Sequence, residues 1–303
     1  YRQRGNLTKF DQSGKPNNEF QPAITGGNDI GLDGRINQVM DLPNGKVLVT
    51  GNFQTLNGDL RGFLVRLNAD GSLDYSFAFG YQHGTYYGRS FAVQQSGKII
   101  VAGNFTVGSY SNIMRLNANG SIDNTFAILP AASYNKVLVD SNDNIYVMEP
   151  TKIYKPDPNG NPLPGFPIIA SSGETFLGIE SLGNKLVLGG TFTSVKGQAR
   201  KNLAVINEDG SIGSFSTTSA TGSGSFGVKT DGTIILNQST YAKAFAPEGT
   251  PGPTPALGTV RCIFVDKQCR TIIAGDGALT AYGISRPSII RLNCDLTVDD
   301  TFQ

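Results

Sequence analysis

The sequence has no tryptophan, a single histidine (His83), three cysteines and no long apolar run. One histidine cannot build a metal site with several His ligands, and the chain lacks the G-x-S-x-G pattern of a serine nucleophile. No stretch reaches the roughly 18 apolar residues that a membrane-spanning helix needs. The chain begins at Tyr1 without a methionine, so any signal peptide or lipid anchor would lie upstream.

Charged residues are also scarce, at 16% of the chain, and the formal net charge is +1. A near-neutral chain has no broad electrostatic attraction for nucleic acid or anionic lipid, so neither is an expected partner. What the sequence has instead is 38 glycines, with many Asn and Ser residues. That composition is typical of a turn-rich β protein rather than of a helical bundle.

Two alternating hairpin patterns fill the chain. The stretch from Ile36 to Phe77 contains both, first INQVMDLPNGKVLVTGNF and then FLVRLNADGSLDYSF. Short β-rich runs that flank a Gly-containing turn predict hairpins, because glycine adopts the positive φ that closes the turn. The first pattern occurs six times and the second seven times. Their spacing is roughly 47 residues, within the range of propeller blades.

This period, with four strands per unit, predicts an all-β protein, a β-propeller of four-stranded antiparallel blades. Six blades are expected, with seven as the alternative because an opening hairpin over 7–20 precedes the complete units. A solenoid or a sandwich is the competing architecture. One propeller domain is predicted over 1–303. Its repeat units run over about 36–77, 90–126, 134–166, 178–215, 226–255 and 262–302.

The connections between strands fall into two kinds. Turns inside hairpins are short and stereotyped, whereas connections between hairpins, such as 21–35 and 78–89, are long and individual. Recognition residues concentrate on loops held by a rigid scaffold, so the long connections form the expected binding face. Flat amphipathic rings there suit stacking on sugars or packing on a protein; packing between blades is the alternative. The candidate ligand-binding residues are Tyr81, His83, Tyr86, Tyr87, Arg89 and Tyr110.

The segment Asn68–Asp74 (NADGSLD) resembles a short calcium loop, with oxygen ligands around a glycine. Other copies of this turn keep the glycine but lose the acid before it, as in Asn119-Gly120. A type I turn with a glycine bulge, its Asx side chains bonded to local backbone, explains every copy. No cofactor and no catalytic residues are therefore expected, and calcium at this turn is the alternative.

The cysteines cluster in the last repeat. Cys269 stands in the turn of its first hairpin and Cys294 in the turn of its second. Both turns fall on one side of one blade and their strands are neighbours, so we predict a Cys269–Cys294 disulfide, with two free thiols as the alternative. Cys262, in an inner strand, is expected to be a buried free thiol. A disulfide would indicate an oxidising, extracytoplasmic compartment.

The phrases NGKVLVTGNF…FLVRLNADGSLDYSF and SGKIIVAGNF…IMRLNANGSIDNTF resemble the delta-60 repeat of a β-propeller family. Its pattern is DGKI-x-V-x-G-x-F followed by R-L-N-x-DGS-x-D-x-x-F. The resemblance spans Ile36–Phe126, recurs at Gly178–Phe215 and Ile289–Phe302, and implies an exported or surface propeller without shared catalytic residues. The opening hairpin resembles the propeller part of Bacteroidota surface lipoproteins, which often accompany outer-membrane nutrient transporters.

These observations predict a non-catalytic extracytoplasmic propeller, at the cell surface or associated with the outer membrane, that binds a glycan or a partner protein through its long connections. An outer-membrane transporter complex is the implied partner, by analogy with the family. The alternative is a structural module of a phage tail or surface appendage. A propeller hydrolase or lyase is the third hypothesis, and it would have to use His83 with Arg35 or Arg89.

Overall fold

The fold is seen in a computed structural model, which describes residues 7–22, 24–25, 34–53, 55–80, 86–127, 130, 132–163, 166, 168–216, 220 and 225–302. Within these residues, regular secondary structure is β-strand, apart from a 3-10 turn at Pro43–Gly45. The residues form two compact units. The first comprises the described residues up to Val139, with Asp143–Glu149 and Lys155–Leu163, and the second comprises the remainder.

Three small antiparallel sheets and one strand pair make up the first unit. Its strands are β1 (Ile24–Thr25), β2 (Arg35–Asp41), β3 (Val47–Asn52), β4 (Thr55–Leu56), β5 (Asp59–Leu60), β6 (Leu64–Leu67), β7 (Tyr87–Val93), β8 (Ile99–Val107), β9 (Tyr110–Leu116), β10 (Lys136–Val139) and β11 (Ile145–Met148). The sheet orders are β2-β3-β6, β7-β8-β9 and β1-β4-β5, and β10 pairs with β11. The first two sheets each correspond to one repeat of the sequence.

The second unit follows the same pattern and then extends it. Its strands are β12 (Lys152–Tyr154), β13 (Ile168–Ile169), β14 (Thr175–Leu182), β15 (Lys185–Thr191), β16 (Ser194–Val195), β17 (Gln198–Ala199), β18 (Leu203–Ile206), β19 (Phe226–Val228), β20 (Ile234–Asn237), β21 (Tyr241–Phe245), β22 (Ala256–Val265), β23 (Thr271–Ala281) and β24 (Ile284–Leu292). β14, β15 and β18 form a three-stranded sheet. Strands β19 to β24 form one six-stranded sheet that joins the last two repeats, because β21 pairs with β22.

The fourth strand expected in each repeat is reduced to a single β-bridge. After β6, only Leu67 and Leu73 form such a bridge. The ladder stops there because Asp74 turns the chain, its Oδ1 accepting the backbone N–H of Ser76 at 3.0 Å. Four full strands were therefore the wrong expectation for this repeat. The same bridge recurs at Phe10–Pro16, Leu116–Ile122, Pro156–Pro162, Ile206–Ile212, Phe245–Pro251 and Leu292–Val298.

Phenylalanines of the repeated patterns form much of the core. The phenylalanine of the G-x-F motif is at most 1% exposed at Phe53, Phe105 and Phe192. In the first unit the ring of Phe105 stacks on that of Phe63, with centroids 4.7 Å apart. Burial of such rings is the main favourable term in folding, so these positions are fixed by packing. These rings anchor the strands whose ends form the candidate functional site.

Candidate functional site

A β-bulge recurs in the first strand of several repeats. The pairing of β2 with β3 skips Asn37, and the pairing of β7 with β8 skips Arg89. In the second unit the corresponding skips fall at Leu177 and Arg261. A bulge leaves one residue outside the ladder and redirects its side chain. We call this place the bulge position, and each repeat presents a different side chain there.

The glycine of the G-x-F motif makes the bulge possible. A Cβ added to Gly51 would lie 2.1 Å from the carbonyl oxygen of Arg35. One added to Gly103 would lie 2.3 Å from the carbonyl oxygen of Tyr87. Only glycine permits so close an approach of two backbones. The same approach occurs in the second unit at Gly190 and Gly275.

In the first unit the bulge positions of successive repeats line one pocket of about 470 Å³. Asn37 and Arg89 are bulge residues, and Asn135 stands at the equivalent place, directly before β10. These side chains lie where the long connections enter the strands. We call this cavity the strand-start pocket. The described residues that line it are Arg35, Asn37, Asn52, Tyr87, Arg89 and Asn135.

Side-chain hydrogen bonds fix the spacing of β2 and β7 beside the pocket. Asn37 Nδ2 donates to the carbonyl oxygen of Gly88 at 2.7 Å. Gln38 Nε2 donates to the carbonyl oxygen of Phe91 at 2.8 Å, and Gln38 Oε1 accepts the N–H of the same residue at 3.0 Å. The Ser90 hydroxyl also donates to Gln38, at 2.9 Å. The pocket is therefore built on strands held in register, as precise recognition requires.

Arg89 occupies the pocket with few partners. Its guanidinium donates to the phenolic oxygen of Tyr87 at 3.0 Å and lies 5.1 Å from the centroid of the Tyr87 ring. Within the described part of the chain this is its one hydrogen bond, and its Nε is buried without a partner. A guanidinium carries five N–H donors. Most of the donor capacity of Arg89 is therefore unused by the residues that the structure describes.

The lining of the strand-start pocket is polar and positively charged. Among the described lining residues, Arg35 and Arg89 contribute two guanidinium groups and none carries a carboxylate. Three asparagine carboxamides and one phenol add both donors and acceptors. This combination suits a ligand rich in hydroxyl, carbonyl or acidic oxygens.

Tyr87 and Arg89 are the two predicted ligand-binding residues that the structure places together in this pocket. Tyr86 is half-buried and packs against the core of the first unit. Tyr81 and His83 lie outside the described residues.

Tyr110 is not part of a binding surface, which corrects the prediction for this residue. Its side chain is only 4% exposed. Its hydroxyl donates to the backbone carbonyl oxygens of Asp123 and Phe126, at 3.2 and 3.1 Å. The ring therefore packs beneath the outer segment of its own repeat instead of facing solvent.

Sequence reasoning missed the three asparagines of the pocket and used Arg35 only in a catalytic hypothesis. A positional signal was available. Asn37, Arg89 and Asn135 each stand four residues before the last residue of their strand, at Asp41, Val93 and Val139. The prediction was based on the aromatic residues of the long connections and did not use this shared offset.

A second recurring cluster lies at the other end of these sheets, beside the short turns. Arg115 Nε donates to Asp123 Oδ2 at 2.7 Å, and Lys98 Nζ donates to the same oxygen at 2.8 Å. The Arg115 guanidinium lies 4.8 Å from the centroid of the Phe126 ring. Burial raises the pKa of Asp123, but hydrogen bonds from Lys98, Thr125 and Arg115 outweigh it and hold that pKa well below its usual value. We call this arrangement the turn cluster.

The turn cluster repeats with nearly the same geometry. Arg66 Nε lies 2.6 Å from Asp74 Oδ2, and Arg291 Nε lies 2.7 Å from Asp299 Oδ2. In both aspartates burial raises the pKa, but the hydrogen bonds of the cluster outweigh that effect. The pKa of each is therefore below its usual value. Identical contacts in three repeats indicate an architectural role. The arginine side chains cover the rings of Phe77 and Phe302, at 4.7 and 4.6 Å.

The structure joins Cys269 and Cys294 by a disulfide, with Cα atoms 5.1 Å apart. The bond connects the turn after β22 with the turn after β24. Cys262 is free and exposed, so the expectation of a buried thiol was wrong. The reason is the bulge at Arg261, which shifts the in-and-out alternation of β22 at this point.

The turn that resembles a calcium loop uses its side chains locally. Asp70 Oδ1 accepts the N–H of Ser72, and Asn68 Nδ2 donates to the Ser72 hydroxyl, both at 2.9 Å. Gly71 adopts a φ of 86°. Among the described residues, no three His, Cys, Asp or Glu side chains are grouped so as to hold a metal ion. That same part of the chain contains no helix with the length and apolar character of a membrane span.

The sequence matches a family model described as a domain of unknown function (DUF5122) beta-propeller, over residues 42–77, 94–126 and 184–212. The match confirms the resemblance to delta-60-type propeller repeats at these three places. Nothing in the comparisons supports the resemblance to Bacteroidota lipoproteins. No curated protein matches the sequence.

Several solved propellers are similar in structure. Virginiamycin B lyase from Staphylococcus aureus has 15% identity and a TM-score of 0.60, over 90% of this chain and 87% of that one. The WD40 beta propeller domain of Doa1 has 10% identity and a TM-score of 0.58, over 86% of each chain. The Neurospora crassa Pan2 WD40 domain has 14% identity and a TM-score of 0.56, over 89% and 85%. At these identities the likeness shows the fold alone: the chain is an all-β protein of β-propeller type.

The comparison also corrects the prediction that the protein is not an enzyme. Structures of the same fold include a lyase as well as WD40 domains. Propeller architecture therefore gives no ground for setting catalysis aside, because function depends on the site and not on the fold.

Proposed function

We propose that the protein is an extracytoplasmic binding protein of propeller type and that its ligand, a saccharide, occupies the strand-start pocket. The observation that carries this proposal is the convergence of polar side chains from three successive repeats on one cavity. Ligand sites typically combine a concave shape with a few convergent polar groups. A structural turn or packing motif would instead repeat the same residue at each of these positions.

The chemistry of the lining favours a sugar. Asn37, Asn52 and Asn135 can each donate to and accept from hydroxyl groups, and Tyr87 offers a ring edge and a phenolic oxygen. The backbone beneath these side chains is held by ladder pairing and by the hydrogen bonds of Gln38. Such preorganisation reduces the entropy that binding costs.

The setting that we propose is outside the cytoplasm. The Cys269–Cys294 bond would persist in an oxidising compartment, and delta-60-type repeats imply export or surface display. In this proposal the protein is displayed at the cell surface or the outer membrane. Its partner there is a nutrient-uptake complex. Its test is detection of the protein in intact-cell surface labelling.

A glycan array tests the ligand. We expect the wild-type protein to bind a subset of saccharides, and Asn135→Ala and Tyr87→Ala to weaken that binding about tenfold or more, since each removes direct contacts. Tyr282→Ala is the matched control, because Tyr282 is 58% exposed on the β23–β24 hairpin of the second unit. Absence of binding to any saccharide, or unchanged binding by both pocket variants, would overturn the proposal.

A further inference from the structure

The arginines of the strand-start pocket indicate which class of saccharide it binds. Building on the proposed function, we infer that the saccharide is acidic and that Arg35 and Arg89 bind its anionic group, a carboxylate or a sulfate. Planar guanidinium groups match such oxyanions with paired, charge-assisted hydrogen bonds. Neutral sugars need no cation, so the buried and unpartnered Nε of Arg89 in this cavity requires a separate explanation.

The arginines of the turn clusters show what a structural arginine looks like in this protein. Arg66, Arg115 and Arg291 each donate through Nε to a buried aspartate at 2.6 to 2.7 Å. Arg89 has no such acid among the described residues, and its Nε is buried without a partner. Within the part of the chain that the structure describes, its positive charge is offset by the ring and hydroxyl of Tyr87.

The second unit provides the closest internal comparison, because Arg261 stands at the same bulge position as Arg89. Arg261 Nε donates to Asp276 Oδ2 at 2.7 Å. Asp276 pairs with Thr259 in the ladder, and the equivalent pair in the first unit is Asn104 with Tyr87. An asparagine thus replaces the neutralising aspartate where the arginine lines the pocket.

The neighbouring repeat shows the same substitution. Arg35 pairs in the ladder with Asn52, which occupies the position of Asp276. Arg35 and Tyr87 therefore both pair with an asparagine, Asn52 and Asn104 respectively. In the second unit the equivalent residue is an acid, Asp276. At these two positions of the first unit the described part of the chain supplies no acid, and an anion from outside the protein would complement the buried, unpartnered Nε of Arg89.

Calorimetric titrations of the whole chain test this inference. The probes are a hexamer of galacturonate, the same hexamer after reduction of its carboxyl groups, and a heparin hexasaccharide that carries sulfates. The proteins are the wild type, Arg35→Gln, Arg89→Gln, Arg89→Lys and the control Arg261→Gln. Melting curves confirm that each variant is folded before it is titrated.

We expect the wild type to bind at least one acidic probe roughly tenfold or more above the reduced hexamer. Stronger binding of galacturonate assigns the carboxylate, and stronger binding of heparin assigns the sulfate. Arg35→Gln and Arg89→Gln should each reduce that preference several-fold, Arg89→Lys should retain part of it, and Arg261→Gln should leave it unchanged. Added salt should weaken the acidic probes selectively.

Two results would overturn the inference in distinguishable ways. If the reduced hexamer binds as well as the acidic probes and Asn135→Ala abolishes that binding, the saccharide site stands and the anionic preference falls. If the acidic preference persists in both glutamine variants, the anion binds elsewhere on the protein. Failure of all three probes, together with a blank glycan array, removes the saccharide site itself and the inference with it.

Discussion

The turn cluster and the bulge position lie at opposite ends of the same sheets, and they vary in opposite ways from repeat to repeat. The turn cluster joins arginine, aspartate and phenylalanine identically in three repeats. The bulge position holds Asn37, Arg89, Leu177 or Arg261 on an identical backbone. Positions that recur with the same residues and contacts in several repeats serve the fold. Positions where the same bulge carries different side chains from repeat to repeat are available for recognition.

The largest effect should come from breaking a turn cluster. Asp123→Asn leaves Arg115 buried without its carboxylate, since both side chains are 4% exposed. Removing one partner of a buried ion pair costs about 3–5 kcal/mol, so urea unfolding should show a loss of that size. Ligand affinity of the folded variant should be unchanged. Asp300→Asn, which removes an exposed pair with Arg286 at 3.7 Å, is the control and should cost at most about 1 kcal/mol.

Removal of the disulfide should have the next largest effect on stability. Cys269→Ser with Cys294→Ser removes a link across 25 residues, which should cost about 3 kcal/mol in urea unfolding. Binding should persist, because the strand-start pocket belongs to the first unit. A double variant that keeps wild-type stability would show that the link adds nothing to the last repeat, while a loss of binding would contradict the placement of the site.

The glycine opposite each bulge separates stability from function. Gly103→Ala should destabilise the protein by about 1–3 kcal/mol and weaken ligand binding, because its Cβ would meet the Tyr87 carbonyl oxygen at 2.3 Å. Gly275→Ala meets the Thr259 carbonyl oxygen at 2.1 Å and should be equally destabilising without any effect on binding. Gly80→Ala, with open space around it, is the neutral control. Equal binding losses at Gly103 and Gly275 would contradict a site confined to the first unit.

Acid should weaken the turn clusters in a predictable direction. Their aspartates have folded pKa values below the usual 3.8, so they stabilise the protein above about that pH. That stabilisation is lost as the pH falls toward the lowered values, because the unfolded chain takes up protons first. Between pH 6 and about pH 2.5, Asp123→Asn should therefore lose less melting temperature than the wild type. A parallel fall in both proteins would contradict the assigned role of Asp123.

Much of the fold was predictable because its determinants are local. Gly71 takes the positive φ expected of the NADGS turn, and the short apolar runs of β3 and β8 form strands of the predicted hairpins. The fourth strand of the repeat is shorter than predicted, because the Asx turn at Asp74 ends its pairing after a single bridge. A single domain of six blades stays a prediction.

The site was less predictable because it depends on contacts between distant parts of the chain. A bulge is defined by the pairing partner, so the sequence around Asn37 or Arg89 does not reveal it by itself. Tyr110 was predicted to lie in a connection, but it is the first residue of β9 and its side chain is buried. Comparison of the repeats at each ladder position, and not of motifs alone, would have found the asparagines of the pocket.

The most direct test of the central claim is a crystal structure of the protein grown with the tightest-binding acidic hexasaccharide. We expect sugar oxygens to contact Asn37 and Asn135 and the anionic group to lie between Arg35 and Arg89. A saccharide bound instead beside Arg61 and Tyr75, in a separate cavity of the first unit, would contradict this prediction.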